Sequence, residues 1–361
     1  PNTQRSMVRR FTNPAPRSPV PDPGAPGKPR RFWLYAPFVL LLIGVAAWSA
    51  GWVWLSQETG RRLDLAADQA RRSGYELTWK DRRVSGYPFR LDVNFTELRA
   101  RDPSGWGLTI PRLETEAWAY APGHWVLAAP QGLAVMRPVG GPVEMRGELI
   151  HASLHDFDRR PPSFSFEGAR LTFQPAPGAL PFALAGADHV ELHLRPGPDD
   201  QGAVLFKVDN GKAQLSGLFA RMAGDKPVSM VFDAILTGMS GFQGGDWPTA
   251  AHAWAHAGGQ IQVRQAGVTA GQAVIGAQPG TLRVGDDGRL QGGLEVSLRQ
   301  APQALTAMAE TGVIPPETAI AATAVAAARA GPGDVARATL TFQAGQTTLG
   351  PVAIGPAPRV F

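Results

Sequence analysis

Twenty-four consecutive residues without a charge, Phe32 to Leu55 (FWLYAPFVLLLIGVAAWSAGWVWL), constrain this chain more than any other stretch. As a helix the run extends about 36 Å, enough to cross a hydrocarbon core of about 30 Å with some tilt. Trp33 and Tyr35 at one end, with Trp52 and Trp54 at the other, are rings of the kind that settle at membrane–water boundaries. Pro37 falls in the first turns, where a missing N–H costs little. A buried core helix is ordinarily shorter. The apolar part of a cleaved signal peptide runs only about 7–15 residues. The run therefore reads as an uncleaved anchor.

Its flanks set an orientation. Arg5, Arg9, Arg10, Arg17, Lys28, Arg30 and Arg31 precede it against Asp22 alone, so of the formal net charge of +5 the first 31 residues hold +6 and the rest hold −1. After the run, Arg61 and Arg62 are accompanied by Glu58 and Asp64. The positive-inside rule then keeps the tail cytoplasmic and translocates the body, which in a bacterium means an inner-membrane span and a periplasmic body. Nucleic acid is not expected as a partner, because the basic excess lies in a proline-rich tail and not on the fold. The phospholipid bilayer is the expected partner; protein partners are not legible. With no cysteine, disulfides, thiolate-held clusters and a Cys nucleophile are excluded.

Four segments follow. Residues 1–31 are expected to be a disordered, basic, Pro-rich tail, and 32–55 a transmembrane helix. Residues 56–74 form a stalk helix built on Arg61–Arg72 (RRLDLAADQARR) and stopped by Ser73-Gly74. Residues 75–361 form a β-rich body, either one elongated domain or two with a break near 240–250. From Tyr75 onward the hydrophobic period is two, clearest at Phe89, Leu91, Val93 and Phe95. Further strands are expected at Leu108–Ala119, Trp125–Arg137, Val143–Phe157, Ser163–Gln174, His189–Arg195, Ala203–Leu215, Val228–Thr237, Gly259–Arg264, Gly280–Val284, Gly292–Leu298, Ala338–Phe342 and Thr348–Ile354. Helices are expected at Trp247–Ala257, Gln303–Glu310 and Glu317–Ala330. The fold class is thus mainly β, a large antiparallel meander, open, curled or sandwich-like, with a few inserted helices behind a single N-terminal transmembrane helix.

Catalytic constellations do not assemble. His252 and His256 share a helix face, but H-A-W-A-H lacks the glutamate of H-E-x-x-H. His151/His155 and His189/His193 fall on strands, where four residues separate side chains by about 13 Å, too far for one metal. There is no G-x-S-x-G and no G-x-x-x-x-G-K-[ST], and Asp199-Asp200 and Asp286-Asp287 sit in Gly-rich turns that favour Asp for backbone reasons. No enzyme, metal, cofactor or catalytic residue is expected.

The most individual stretch is V-S-G-Y-P-F-R-L-D-V, Val84 to Val93. It resembles the G-[FY]-P-F-R turn of a proteobacterial family of membrane-anchored envelope proteins of unknown function. The Trp254…Gly258-Gly259 segment and the closing Leu349-Gly350-Pro351-Val352…Ala357-Pro358 are similar to that family's C-terminal part. The layout is also similar, at the level of the fold, to AsmA-like and TamB-like envelope proteins, whose open sheets form a lipid-carrying groove. Turn chemistry explains Gly86, Tyr87 and Pro88. A second role would have Arg90, with Arg82 and Arg83, meet phospholipid headgroups.

The expected function is binding or transfer of a lipid or other hydrophobic molecule in the cell envelope. The alternative is an envelope scaffold or interaction protein without a ligand. The candidate groove and motif residues are Gly86, Tyr87, Pro88, Phe89, Arg90, Leu91, Val93 and Phe95, with the apolar lining beginning on the strand that carries them.

Overall fold

The computed structural model describes residues 32–213, 226–270, 273–299 and 335–361, with six further residues between 316 and 324. Two compact units are present, 1–49 and 50–361. The described part of the first is helical throughout. The expected tail (1–31) and the expected helix Gln303–Glu310 lie outside the described residues. Of Glu317–Ala330, the described positions are helical.

One helix, α1 (Phe32–Arg72), runs through both the apolar segment and the segment expected as a stalk. Nothing between Leu55 and Arg61 breaks it, and it is long and apolar enough to cross a membrane. Gly74, at φ 82°, ends it: Tyr75 N–H donates to Ala70 O and Gly74 N–H to Arg71 O, capping the last carbonyls. The final turns lie against the second unit's sheet. Ala67 is buried, Leu63 packs on the main core, and Arg82 donates to Asp64 at 2.7 Å.

The second unit is an antiparallel meander. Strands β1 (Glu76–Thr78) and β2 (Asp81–Ser85) both pair with β3 (Arg90–Arg101), which pairs with β4 (Gly107–Trp118). The next two ladders are each in two pieces, β5 (Ala121–Ala128) with β6 (Leu133–Met136), then β7 (Val143–Arg146) with β8 (Leu149–His155). The order continues through β9 (Ser163–Pro175), β10 (Leu184–Pro196), β11 (Gln201–Ala213), β12 (Val228–Thr237) and β13 (Ile261–Ala270). A third broken ladder, β14 (Ala273–Ala277) and β15 (Gly280–Val284), leads to β16 (Leu290–Arg299), β17 (Val335–Gln343), β18 (Gln346–Leu349) and β19 (Val352–Pro356). Strands β12 and β13 pair directly across residues 240–250, so the sheet is continuous there.

Among the described residues two large cores and a smaller one, Val296 with Leu298 and Ala336, hang on this sheet. The first gathers Val93, Phe95, Ile110, Leu113, Leu171 and Val208 from β3 to β11. The second lies under α2 (Trp247–His256), whose Trp254 is 2% exposed and donates from Nε1 to Thr237 O at 2.7 Å. Gly259 makes room for that indole, since a Cβ there would sit 2.1 Å from Trp254 Cε2. Asp246 caps α2 by accepting from Thr249 N–H at 2.8 Å.

Candidate binding cavity

The period of two does not run unbroken along the long strands. On β3 the buried residues are Leu91, Val93 and Phe95, and then Leu98. Their partners on β4 are Ile110, then Leu113, Thr115 and Ala117, a matching step of three around Pro111-Arg112. Glu97 sits at the step with φ 49°. Further along, β5/β6 and β7/β8 break at residues 129–132 and 147–148, β9 slips between Gly168 and Leu171 at Arg170 (φ 47°), and β11 slips at Asn210 (φ 50°). These positions face one another across the ladders, so they form one crease from β3 to β11. A one-residue slip bends a strand and re-aims its side chains. Here it keeps the apolar side chains on the same side of the sheet on both flanks of the bend. Leu171, 2% exposed, plugs the crease, and a Cβ on Gly147 or Gly168 would lie 2.6 Å from its side chain.

A cavity of about 440 Å³ follows this crease. One flank supplies Leu127, Ile150, Phe166, Leu192 and Phe206, and the other supplies Leu133, Met145, Phe173 and Phe182. Leu108, 40% exposed, stands in its lining as well. The exposed lining is apolar throughout. Outward positions of the same strands carry the charges. His189 Nε2 lies 3.1 Å from Glu167 Oε1, and Lys207 donates to Asp209 at 2.7 Å, which holds the ammonium pKa above its ordinary value. Phe182 stacks obliquely on Phe173 at 5.3 Å, and its loop is clamped by Arg137. That guanidinium donates to Gly140 O, Gly141 O, Leu180 O and Pro181 O and lies 5.8 Å from the Phe182 ring.

None of the residues from Gly86 to Phe95 lines this cavity. Leu91, Val93 and Phe95 are buried in packed core, at 0%, 1% and 7% exposure. Phe89 departs from the expected apolar face and is 60% exposed, because the Gly86–Phe89 turn is closed by Arg90 N–H on Gly86 O and alternation starts only at Arg90. Gly86, at φ 102°, is required there, since a Cβ would meet Arg90 O at 2.7 Å. The Tyr87–Pro88 peptide bond is cis. Arg82 and Arg90 turn to different partners. Arg82 is turned to Asp64 and Trp79, and Arg90 to Glu116 at 3.1 Å. Asp64 is held below the usual carboxylate range by its hydrogen bond from Arg82.

The histidines fall in pairs, His189 and His193 both on Glu191 at 3.2 and 3.5 Å and the His252 ring 6.2 Å from that of His256. His193 Nδ1 lies 2.9 Å from Ser165 Oγ, His155 stacks on His124 at 5.0 Å, and His252 meets the Phe361 ring edge-on at 5.6 Å. Among the described residues, no group of three or more His, Cys, Asp or Glu could hold a metal ion. An apolar groove is expected from the sequence, but its place, beyond the strand that carries Gly86 to Phe95, is not. The signals that build it are Glu97, Arg170 and Asn210 in left-handed backbone, and of these only Asn is a residue type that favours it.

Fold and cavity together define a class, a mainly β protein with one long N-terminal apolar helix and an extended antiparallel sheet bent around an apolar cavity. The chain matches the family described as "Uncharacterized protein conserved in bacteria (DUF2125)" over residues 52–358, and it belongs to that family. Comparison with curated proteins and with solved structures found no significant match.

Proposed function

We propose that this protein is anchored in a bacterial inner membrane by α1, with its body in the periplasm, and that the body binds or transfers a lipid acyl chain or similar hydrophobic molecule. The observation that carries the reading is the cavity. Its volume of about 440 Å³ falls among small-molecule sites, which run about 300–1,000 Å³. A pocket whose exposed lining is apolar favours a hydrocarbon chain over a polar solute, which would lose its hydrogen bonds to water there. The lopsided charge around the apolar run supports the orientation.

The test is native mass spectrometry of the full chain purified from its own membranes, beside an Ala152→Trp variant that fills the cavity from β8. Wild type should carry a lipid-sized adduct that the variant loses. A wild-type protein without an adduct would leave the scaffold reading in its place. A reporter fused after Phe361 checks orientation, with activity expected only for a periplasmic reporter.

A further inference from the structure

The end of the apolar run is fastened to a cluster of exposed aromatic side chains. We propose that this cluster rests in the headgroup region of the bilayer that α1 crosses. Trp52 Nε1 donates to Arg90 O at 2.8 Å, and its ring meets Tyr87 edge-on at 5.5 Å. Arg90 is the register partner of Trp118, and Ala119 N–H donates to Phe89 O at 2.9 Å. The turn before β3 and the hairpin between β4 and β5 are therefore hydrogen-bonded neighbours. Trp118 stacks on Tyr120 at 5.5 Å. Tyr87, Phe89, Trp118 and Tyr120 are between 50% and 66% exposed.

Single exposed aromatics need no explanation, but four on two adjoining turns form a patch that does. Its composition suits a boundary between water and hydrocarbon, since Tyr and Trp combine an apolar body with a polar tip. The nearby charge is internally balanced, Arg90 lying 3.1 Å from Glu116 and 3.5 Å from Asp92. The bilayer is the occupant because of Trp52. This residue closes the apolar run, so a membrane-embedded run places it at the interface, and the turn is joined to it by a direct hydrogen bond. The inference rests on the proposed reading of α1 as a span. It adds that the body lies on the membrane at a fixed edge of its sheet.

The chain has no cysteine, so one introduced thiol is a unique labelling site. The full chain is placed in nanodiscs of phosphatidylethanolamine and phosphatidylglycerol, with an environment-sensitive fluorophore at Ala121→Cys, which leaves all four aromatics in place. Leu41→Cys in the apolar run and Val139→Cys on the β6–β7 turn are the references. Headgroup-level nitroxide lipid should quench the Ala121 label severalfold more than the Val139 label. Adding Phe89→Ser and Tyr120→Ser should return the Ala121 label to the Val139 level. If the Leu41 label is quenched by deep nitroxide while the Ala121 label is as open to aqueous iodide as Val139, the membrane-resting surface is wrong and the anchor stands. If iodide reaches the Leu41 label, both fall.

Discussion

Val93→Asp separates packed core from open cavity on the strand whose alternation is plainest. Val93 is 1% exposed, faces Val84 of β2 and Thr115 of β4 in register, and its carbonyl accepts from Thr115 Oγ1 at 2.9 Å. A carboxylate there has no cationic partner among these neighbours. An uncompensated buried charge costs about 3–5 kcal/mol. Against a domain stability of about 5–15 kcal/mol, that removes between about a fifth and all of it. At roughly 2–4 °C per kcal/mol for a domain of this size, the melting temperature should fall by on the order of 10 °C. Burial raises the new carboxyl's folded-state pKa above its unfolded value of about 3.9, so the loss should grow as pH rises through the folded pKa and shrink toward acid pH. Thermal unfolding of the full chain in mild detergent, followed by circular dichroism, reads the shift. Val139→Asp, at a position 79% exposed, is the control and should move stability by no more than about 0.5 kcal/mol. If Val93→Asp melts with the wild type, the β3 face is open to water and the division between core and cavity is wrong.

Gly259→Ala should destabilise by about 1–3 kcal/mol through overpacking against Trp254, and an unchanged urea midpoint would refute that contact. Arg137→Ala should leave the fold intact but free the loops at 137–142 and 176–183, seen as faster limited proteolysis there and faster exchange of a fluorescent fatty acid. The carboxyl of Asp246 is held below its ordinary value by the Thr249 backbone N–H, so its capping contribution is present above the unfolded pKa and lost as pH falls through the folded one. Asp246→Ala should abolish that acid-side loss, and a wild-type pH profile in the variant would refute the cap.

Much of the sheet was legible because alternation is a direct image of a half-buried strand. Val228–Thr237 and Gly280–Val284 match β12 and β15 end to end. Trp125–Arg137 and Val143–Phe157 are each two strands, split at Pro130-Gln131-Gly132 and at Gly147-Glu148, where turn residues were available to be read. Strand β14 (AVIGA) carries no polar position and so no period. The candidate site was not legible. The cavity depends on a crease shared by neighbouring ladders, and its slips at Glu97 and Arg170 use residues that advertise helix or solvent, not left-handed backbone. A single strand cannot display a property of seven adjacent ladder positions. Alternation located the apolar face at Leu91, Val93 and Phe95, whereas the space on that face opens farther along, between Phe166 and Phe182.

Whether hydrocarbon enters the cavity is read by photo-crosslinking in the membrane itself. The full chain is reconstituted with a phospholipid carrying a diazirine at the acyl terminus, irradiated, digested and mapped by mass spectrometry. Labelled peptides should include those from β9 and β11 that carry Phe166 and Phe206, in addition to α1, and the β9 and β11 labels should disappear in Ala152→Trp. Labelling confined to α1 in the wild-type protein would mean that no acyl chain enters the cavity.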